Sequence, residues 1–437
     1  MALCPDLSAD CQEQSAALLS ETVVEALASL PSCCSRLWIA LSGGCDSVTL
    51  LHSVVHAYHE LQQRFPQRSL PSLQALHVNH QLQAAAQQFE HLCRTSCEAL
   101  KVKLHVAYVD IDGQAKGGLE ALARDARYAV FEQQLQKHDV LWMAHHADDQ
   151  AETVLQRAMR GSGVAGMAGM PSQRPLGAGW LMRPLLIHPR HLLEMYACYH
   201  QLQWCDDPSN ASLDYDRNYL RHEIVPRLAA RWPQAITMLG QVATHARDTE
   251  ILLNAMADRQ LEQWPQSPQQ LPIDALNDMD AREAQLLIRR ALAVQDIPLP
   301  PRARLATALE QLAAGKGHIM WPGGELRLWQ GTLYLARGHN VSTTPAVLAQ
   351  QWDILPVEAF EVAPLRFVER QGGERLRING HRRTLKAIFQ AEHIPPWQRD
   401  EFCVVWCGDI PVALVSEQKA IMADGWYAKK AEGHGRG

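Results

Sequence analysis

Long apolar runs, cysteines at Cys-x-x-Cys spacing and a positive net charge are all missing from this 437-residue chain. No uninterrupted apolar stretch approaches the roughly 18 residues that a membrane-spanning helix needs, so no membrane partner is expected. The 11 cysteines are scattered, and none stands in a Cys-x-x-Cys pair, which argues against a disulfide-stabilised secreted domain and the usual zinc or redox motifs. These absences predict a cytoplasmic protein.

Charge is unevenly distributed along the chain. The formal net charge is −6 and the isoelectric point is near 6.4, which by itself argues against a nucleic-acid-binding protein. Residues 366–386 nevertheless carry seven positive side chains against two negative ones. This segment predicts either a phosphate-binding footprint or an ordinary solvated surface.

A glycine loop lies between a predicted strand, residues 37–41, and a predicted amphipathic helix. Its residues are Ser42, Gly43, Gly44, Cys45, Asp46 and Ser47. The glycines let backbone N–H groups approach an anion, and the helix N-terminus adds partial positive charge, so the loop is expected to bind a phosphate chain. The two serines offer hydroxyl donors, and Asp46 is a candidate Mg²⁺ ligand, directly or through water. The alternative is an ordinary turn in which Ser47 caps the helix.

Strand-like and helical runs alternate from this loop to about residue 160. Strands are predicted at residues 37–41, 73–78, 104–109 and 140–144. The alternation predicts an α/β fold with a parallel, Rossmann-like sheet, whose ligand loops lie at the carboxyl ends of the strands.

Changes in composition divide the chain into three predicted domains. Residues 1–230 form the parallel-sheet domain. Residues 231–345 form a mostly helical domain, which ends in a hairpin where leucines alternate at positions 326, 328, 333 and 335. Residues 351–430 form a small α+β C-terminal domain.

A cluster of histidines and acids follows the fourth predicted strand. Its members are His145, His146, Asp148, Asp149 and Glu152. If a helix begins near residue 147, the three acids share one face near the pocket. Three interpretations remain open: a metal site, a carboxylate trap for the Mg²⁺ of ATP and a cationic co-substrate, or a polar helix start favoured by the helix dipole.

Two arginines follow the third predicted strand. Arg124 and Arg127 lie one turn apart on a predicted helix and are placed to clamp a phosphate group or an RNA backbone. The plainer alternative is an ion pair between Arg124 and Glu120, four residues earlier.

The glycine loop is not a Walker A sequence, and it resembles the Ser-Gly-Gly-x-Asp-Ser pyrophosphate loop of the ATP pyrophosphatase, or PP-loop, superfamily. Several motifs follow it in the order seen in the tRNA(Ile)-lysidine synthetase family, and the chain resembles that family over about half its length. They are residues 77–80, 120–128, 145–153, 160–163, 183–186 and 207–221. Residues 370–400 resemble that family's C-terminal RNA-binding module.

This resemblance implies an ATP-dependent carbon–nitrogen ligase. Such an enzyme joins free L-lysine to carbon 2 of the wobble cytidine in a tRNA(Ile) with a CAU anticodon. The reaction passes through an adenylated cytidine and releases pyrophosphate and AMP. A PP-loop tRNA thiolase, or another adenylating tRNA-modifying enzyme, is the alternative, and the absence of Cys-x-x-Cys counts against the thiolase. The oligomeric state stays open, with a homodimer as one alternative.

The resemblance also gives the candidate residues their roles. Asp149 and Glu152 are predicted to bind lysine, which arrives as an ammonium ion. Asp46 and Asp148 are predicted to hold Mg²⁺, and Arg124 completes the catalytic set. The predicted tRNA contacts are Arg375, Arg382 and Arg383.

Overall fold

The computed structural model describes residues 9–80, 86–110, 119–207, 212–313, 317–337, 344–358 and 363–431. The chain divides into two compact units, Met1–Leu253 and Asn254–Gly437. Within the described ranges, no helix combines the length and apolar character needed to cross a bilayer.

The strands in chain order are β1 (Arg36–Ala40), β2 (Ser72–Asn79), β3 (Lys103–Tyr108), β4 (Asp139–Trp142), β5 (Gln173–Leu176), β6 (Gly179–Met182), β7 (Gln270–Pro272), β8 (His318–Trp321), β9 (Gly324–Trp329), β10 (Thr332–Ala336), β11 (Trp352–Pro356), β12 (Leu365–Glu369), β13 (Arg375–Ile378), β14 (His381–Thr384), β15 (Cys403–Cys407), β16 (Ile410–Val415), β17 (Ala420–Met422) and β18 (Trp426–Lys430).

The helices are α1 (Ala9–Ala28), α2 (Cys45–Arg64), α3 (Ala86–Ala99), α4 (Leu119–Gln134), α5 (Ala147–Met159), α6 (Val164–Met167), α7 (Arg190–Tyr199), α8 (Asp216–Tyr219), α9 (Val225–Arg231), α10 (Ala235–Leu261), α11 (Ile273–Asn277), α12 (Ala281–Val294), α13 (Arg302–Ala313), α14 (Pro345–Gln351) and α15 (Leu385–Ala391). A π-helical turn, Leu220–Ile224, joins α8 to α9, and a 3-10 helix spans Pro396–Glu401.

The first unit is built on a six-stranded sheet in the order β3-β2-β1-β4-β6-β5. Its strands are parallel except β5, which pairs antiparallel with β6. Successive side chains of a strand point to opposite faces. Leu37 and Ile39 of β1 pack in one buried core, and Trp38 packs in another. Both faces of the sheet are therefore covered, which explains why β1 reads as a continuous apolar run.

The strand order creates a crevice beside β1. The chain moves outward from β1 through β2 to β3 and then crosses back to β4 on the other side of β1. Open α/β sheets bind ligands where the order reverses, outside the carboxyl ends of the strands. The four predicted strands match β1 to β4 to within two residues at each end, so the α/β prediction is confirmed.

The second unit contains a four-stranded antiparallel sheet in the order β7-β10-β9-β8. The predicted leucine hairpin is β9 and β10, in which Leu326 pairs with Leu335 and Leu328 with Leu333. Helices α12 and α13 supply much of the core beside this sheet. The prediction of helical runs here is confirmed, although the sheet is larger than the hairpin alone. The C-terminal part carries the sheet β12-β15-β16-β17 and the two-stranded ribbons β11-β18 and β13-β14.

Candidate active site

The glycine loop joins the carboxyl end of β1 to α2, which begins at Cys45, inside the motif. Gly43 has a φ of +90°, a region that side chains disfavour. A Cβ at this position would lie 3.1 Å from Cδ1 of Phe89 and 3.3 Å from Sγ of Cys93. The loop therefore requires glycine here both for its backbone angle and for its close approach to α3.

The Ser47 hydroxyl holds the loop in shape. Its Oγ accepts the N–H groups of Ser42, at 3.1 Å, and Gly43, at 3.2 Å, and it donates to the Gly44 carbonyl at 3.0 Å. Gly44 is the N-cap of α2, and no side chain caps it. The helix-cap alternative for Ser47 is therefore wrong, because its hydroxyl bonds to the loop itself.

A cavity of about 590 Å³ opens at the crevice beside β1. Of the residues predicted to be catalytic or to bind ATP or tRNA, six line it: Ser42, Gly44, Asp46, Ser47, Arg124 and Asp149. Four others, Gly43, Cys45, Asp148 and Glu152, are not part of the lining. The remaining three, Arg375, Arg382 and Arg383, belong to the second unit.

Asp46 lies in the first turn of α2 and faces the cavity. Its Oδ1 is buried, accepts no hydrogen bond from the described residues, and lies 3.6 Å from Nε of Arg190. Mg²⁺ is usually held by one or two carboxylates together with substrate phosphates. A buried carboxylate oxygen without a hydrogen bond, beside a phosphate loop, fits such an ion.

His146 is a buried link between the glycine loop and α5. Its Nε2 lies 3.7 Å from Oδ2 of Asp46 and 3.4 Å from Oδ2 of Asp149, and its Nδ1 lies 3.6 Å from Oδ2 of Asp148. Burial lowers the pKa of His146, but the surrounding carboxylates outweigh burial and raise the pKa to about 10. The surrounding carboxylates therefore favour the protonated form of the ring.

Asp148 bonds to different partners from the other two acids of α5. Its Oδ2 accepts the backbone N–H of Arg190 at 2.8 Å, at the first residue of α7. Burial raises the pKa of Asp148, but the hydrogen bonds from His146 and Arg190 outweigh it and lower the pKa. One oxygen of Asp148 is therefore hydrogen-bonded to the N-terminus of α7. The assignment of Asp148 as an Mg²⁺ ligand stays a prediction.

Asp149 and Glu152 form ion pairs with two arginines, and these four residues are called the acid–arginine cluster below. Arg217 donates to Oδ1 of Asp149 at 2.6 Å and to Oε2 of Glu152 at 2.8 Å. Arg221 donates to Oε1 and Oε2 of Glu152, at 2.6 and 3.0 Å, and to Oδ1 of Asp149 at 3.1 Å. The second oxygen of Asp149 accepts the backbone N–H of His146 at 3.1 Å.

Burial raises the pKa of Asp149, but His146 and Arg217 outweigh it and hold the pKa far below its usual range. Asp149 is therefore a fixed negative charge in this state and a poor proton acceptor. Arg217 and Arg221 also line the cavity, and sequence reasoning did not single them out as site residues. Both arginines lie in the motif at residues 207–221, which was the available signal.

Arg124 belongs to a group of arginines around Tyr128. The guanidinium carbons of Arg124 and Arg174 lie 5.4 and 5.1 Å from the centre of the Tyr128 ring. Burial raises the pKa of Tyr128, but the charges of Arg183 and of the neighbouring arginines outweigh it and lower the pKa. The Glu120 side chain of the alternative ion pair lies outside the described residues. This side of the cavity is positively charged.

His145 is kept neutral beside this positive group. Its Nδ1 accepts a hydrogen bond from Nε of Arg183 at 3.2 Å, so that nitrogen carries no proton. Burial lowers the pKa of His145 to about 3, and Arg183 contributes to the same shift. The pKa values of the two neighbouring histidines are therefore shifted in opposite directions, up for His146 and down for His145.

The cysteines near the loop are unsuited to persulfide or cluster chemistry. Burial raises the pKa of Cys45 and of Cys97 to about 12, and it raises the pKa of Cys93 further. Cys205 lines the cavity, and burial raises its pKa as well. Among the described residues, no group of three His, Cys, Asp or Glu side chains is arranged to hold a metal ion.

The predicted tRNA contacts lie on the β13–β14 hairpin. Its two-residue turn, Asn379-Gly380, has positive φ angles, and both turn N–H groups donate to Asp424 at 2.7 Å. In this register Arg377 lies opposite Arg382, on the face that also carries Arg375.

Arg383 lies opposite the buried Leu376, on the other face of the hairpin. The exposed arginine face therefore consists of Arg375, Arg377 and Arg382. The three predicted tRNA contacts do not all share one surface.

Comparisons with known proteins agree with this geometry. The PP-loop domain profile matches residues 13–228, and the profiles of the TilS substrate binding domain and the TilS substrate C-terminal domain match residues 271–334 and 365–433. The tRNA(Ile)-lysidine synthase of Alkalilimnicola ehrlichii is 37% identical, over 96% of this chain and 98% of the relative. Those of Pseudomonas aeruginosa and Coxiella burnetii are 35% and 33% identical, over 86% and 91% of this chain and 89% and 92% of the relatives.

A solved structure of a U34-tRNA thiolase from Methanococcus maripaludis also matches, with a TM-score of 0.43 and 16% identity over 54% of this chain and 79% of that chain.

The strand order, the glycine loop at its reversal and the adjoining cavity define an ATP-binding domain of the PP-loop class. The similarity to the lysidine synthases extends through both units of the chain. The chain belongs to the tRNA(Ile)-lysidine synthase family.

Proposed function

We propose that the chain joins free L-lysine to carbon 2 of the wobble cytidine in a tRNA(Ile) with a CAU anticodon. As a member of its family, the chain is an ATP-dependent ligase that acts on tRNA(Ile). In the first step the cytidine O2 attacks the α-phosphorus of ATP, and pyrophosphate leaves. In the second step the lysine side-chain amine attacks carbon 2, loses a proton, and expels AMP.

The observation that carries this proposal is the cavity beside β1, because it brings the glycine loop, Arg124 and Asp149 to one site. The loop supplies backbone N–H groups and a helix N-terminus for the pyrophosphate of ATP. Gly43 and Ser47 give the loop its shape, and Cys45 starts the helix beneath it. Asp46 would hold Mg²⁺ through its Oδ1, with Asp148 as a second predicted ligand. When bound, Mg²⁺ would neutralise charge on the phosphates.

Arg124 and Arg127 are the residues we propose for stabilising the negative charge that develops during adenylation. Both line the cavity, as the loop does. Preorganised positive groups stabilise a transferring phosphoryl group without reorganising at the moment of reaction. We therefore assign Arg124 to the α-phosphate or the adjoining RNA phosphate.

Asp149 and Glu152 are the proposed lysine-binding residues. An ammonium ion needs acceptors, and these two acids together offer four carboxylate oxygens. Because the pKa of Asp149 is strongly lowered, we assign it to binding the ammonium and not to accepting its proton.

The exposed arginines of the β13–β14 hairpin are the proposed tRNA contacts of the second unit. Arg375 and Arg382 have no carboxylate partner among the described residues, and Arg377 lies 3.9 Å from Asp424. Like charges directly across a ribbon destabilise it, and a bound phosphate would relieve that repulsion. We keep Arg383 as a third contact, and we propose domains at residues 1–230, 231–345 and 351–430.

The test is to measure pyrophosphate and AMP release from ATP, with and without a tRNA(Ile) transcript carrying CAU. Pyrophosphate release is expected to require the tRNA, and stoichiometric AMP release is expected to require lysine as well. Mass analysis of the wobble nucleoside should show added lysine. Sulfur incorporation from a sulfide donor, with no dependence on lysine, would favour the thiolase alternative instead.

A further inference from the structure

The acid–arginine cluster poses a problem for lysine binding. Its two acids and two arginines sum to zero formal charge, so a lysine ammonium meets no net attraction there. All four carboxylate oxygens already accept hydrogen bonds at 2.6 to 3.1 Å. An incoming ammonium must therefore compete with two guanidinium groups, which bind carboxylates in a preorganised fork.

We propose that Arg217 and Arg221 close the lysine site in the free enzyme, and that bound ATP opens it by drawing these arginines toward its phosphates. The inference rests on the proposed lysine role of Asp149 and Glu152. Lysine then binds tightly only after ATP is in place, so the two arginines determine the order of substrate binding.

The arginines are placed to change partners. Their side chains are 25% and 24% exposed and line the cavity together with Gly44 and Asp46 of the glycine loop. Burial lowers the pKa of Arg221, but Glu152, Asp149 and then Asp46 outweigh burial and raise it. Arg221 thus already feels a charge on the loop side, and a bound triphosphate adds several negative charges there.

The backbone is irregular at the two arginines that would have to move toward bound ATP. Arg221 lies in the π-helical turn Leu220–Ile224, and Arg217 lies in the short helix α8 just before it. Single π-helical turns inside helices are frequent at functional sites. Glu152, by contrast, lies within the 13-residue helix α5 and is buried. The arginines are therefore the part of the cluster that can move.

Exchange of partners predicts a reciprocal coupling between the two ligands. If ATP tightens lysine binding by some factor, lysine must tighten ATP binding by the same factor. Withdrawing both arginines leaves two carboxylates facing one ammonium, so a coupling of at least about 10-fold is expected.

The experiment measures lysine binding to the full chain by calorimetry, with and without Mg²⁺ and an ATP analogue that has a methylene bridge between the α and β phosphates. In the unaltered protein the analogue should tighten lysine binding by at least about 10-fold. In Arg221→Gln, lysine should bind without the analogue nearly as tightly as with it, since one competitor is gone. Arg227→Gln is the matched control, because Arg227 is exposed and pairs with Glu223 outside the cavity.

Glu152→Gln separates this inference from the function on which it rests. If the analogue leaves lysine affinity unchanged in the unaltered protein, while Glu152→Gln weakens it, the closed-site inference is wrong and the lysine site stands. If Glu152→Gln leaves lysine affinity unchanged, both are overturned. Should Arg221→Gln fail to fold, Arg221→Lys keeps the charge but loses the fork, and the coupling should fall in that variant too.

Discussion

The acids of α5 and the arginines of the β13–β14 hairpin differ in how their charges are met. Asp149 and Glu152 are 10% and 2% exposed, and each is paired with two arginines. Arg375 and Arg382 are exposed, and no described carboxylate pairs with them. The charges of the acids are therefore balanced by arginines inside the protein, whereas the charges of Arg375 and Arg382 are available to an external partner.

This difference shows that a cluster of like charges in a sequence does not by itself indicate whether the side chains are buried in ion pairs or exposed to a partner. The two acids form their arginine ion pairs with residues that lie 65 to 72 positions further along the chain. A buried charge must be paired because desolvation is costly, whereas an exposed charge is hydrated at little cost. We therefore expect changes in the buried cluster to affect stability and catalysis together, and changes in the exposed arginines to affect tRNA binding alone.

The largest expected effect comes from the phosphate side of the cavity. Asp46→Ala removes the proposed Mg²⁺ ligand and should lower tRNA-dependent pyrophosphate release by about 100- to 1,000-fold. Affinity for tRNA should stay within about twofold, because the hairpin arginines are untouched. Ser47→Ala should also abolish adenylation, through loss of the loop's shape. Adenylation at the native rate in either variant would contradict the loop assignment.

The next effect contrasts a buried ion pair with an exposed one. Glu152→Gln leaves Arg217 and Arg221 undercompensated and should lower the free energy of unfolding by about 3 kcal/mol. Glu223→Gln breaks the exposed pair with Arg227 and should lower it by less than about 0.5 kcal/mol. Urea titrations of both variants measure the difference.

Glu152→Gln should also separate the two chemical steps. Adenylated tRNA is expected to accumulate because lysine addition slows, while pyrophosphate release continues. Rapid-quench analysis of the tRNA measures this. An unchanged dependence on lysine concentration would contradict the assigned role.

A smaller effect is expected on the exposed side of the comparison. Arg375→Ala with Arg382→Ala should weaken tRNA binding and reduce the slope of log affinity against log salt by about two, one for each phosphate contact. Adding Arg383→Ala should change the slope less, because Arg383 lies on the opposite face of the ribbon. Superimposable slopes for the variants and the unaltered protein would mean that the hairpin is only a solvated surface.

The smallest effect concerns a half-buried group that is kept neutral instead of being paired with an opposite charge, His52. His52, His56 and His200 pack with ring centres 4.4 to 5.5 Å apart, and Tyr196 bonds to His52 at 3.0 Å. Burial and the two neighbouring rings lower the pKa of His52 to about 4, from its model-peptide value of 6.5. The unfolded chain therefore binds more protons below pH 6.5, and stability should fall as the pH drops from 6.5 to 4.

His52→Gln removes this group and should flatten that loss by about 1 to 2 kcal/mol, since the ring is partly exposed and its charge partly hydrated. Unfolding titrations at several pH values compare the variant with the unaltered protein. Parallel pH profiles would contradict the assignment.

Local features were predictable from the sequence because they depend on burial, helix capping and backbone angles within a few neighbouring residues. Strand β1 is an apolar run, since both faces of the sheet are covered there. Helix α5 begins at Ala147, as predicted, because the polar residues before and within its first turn cap it. The glycine loop was recognisable because its backbone angles and close contacts demand glycine at position 43.

Long-range pairings were not predictable in the same way. The ion pairs of Arg217 and Arg221 depend on how α8 and the following turn return to α5, and no local pattern fixes that contact. The choice of Arg377 over Arg383 for the exposed face depends on the register of the Asn379-Gly380 turn.

The position of Cys45 bears on covalent inhibitor design. A cysteine inside an ATP loop invites an electrophilic ligand, but this thiol is 6% exposed, lies in the first turn of α2, and keeps its proton because burial raises its pKa to about 12. Cys205 is only partly buried, lines the cavity and donates its backbone N–H to the Gly43 carbonyl, so it is the more accessible of the two thiols, although burial raises its pKa as well. A fragment that reaches Cys205 from this cavity would react with a cysteine that lies outside the loop motif.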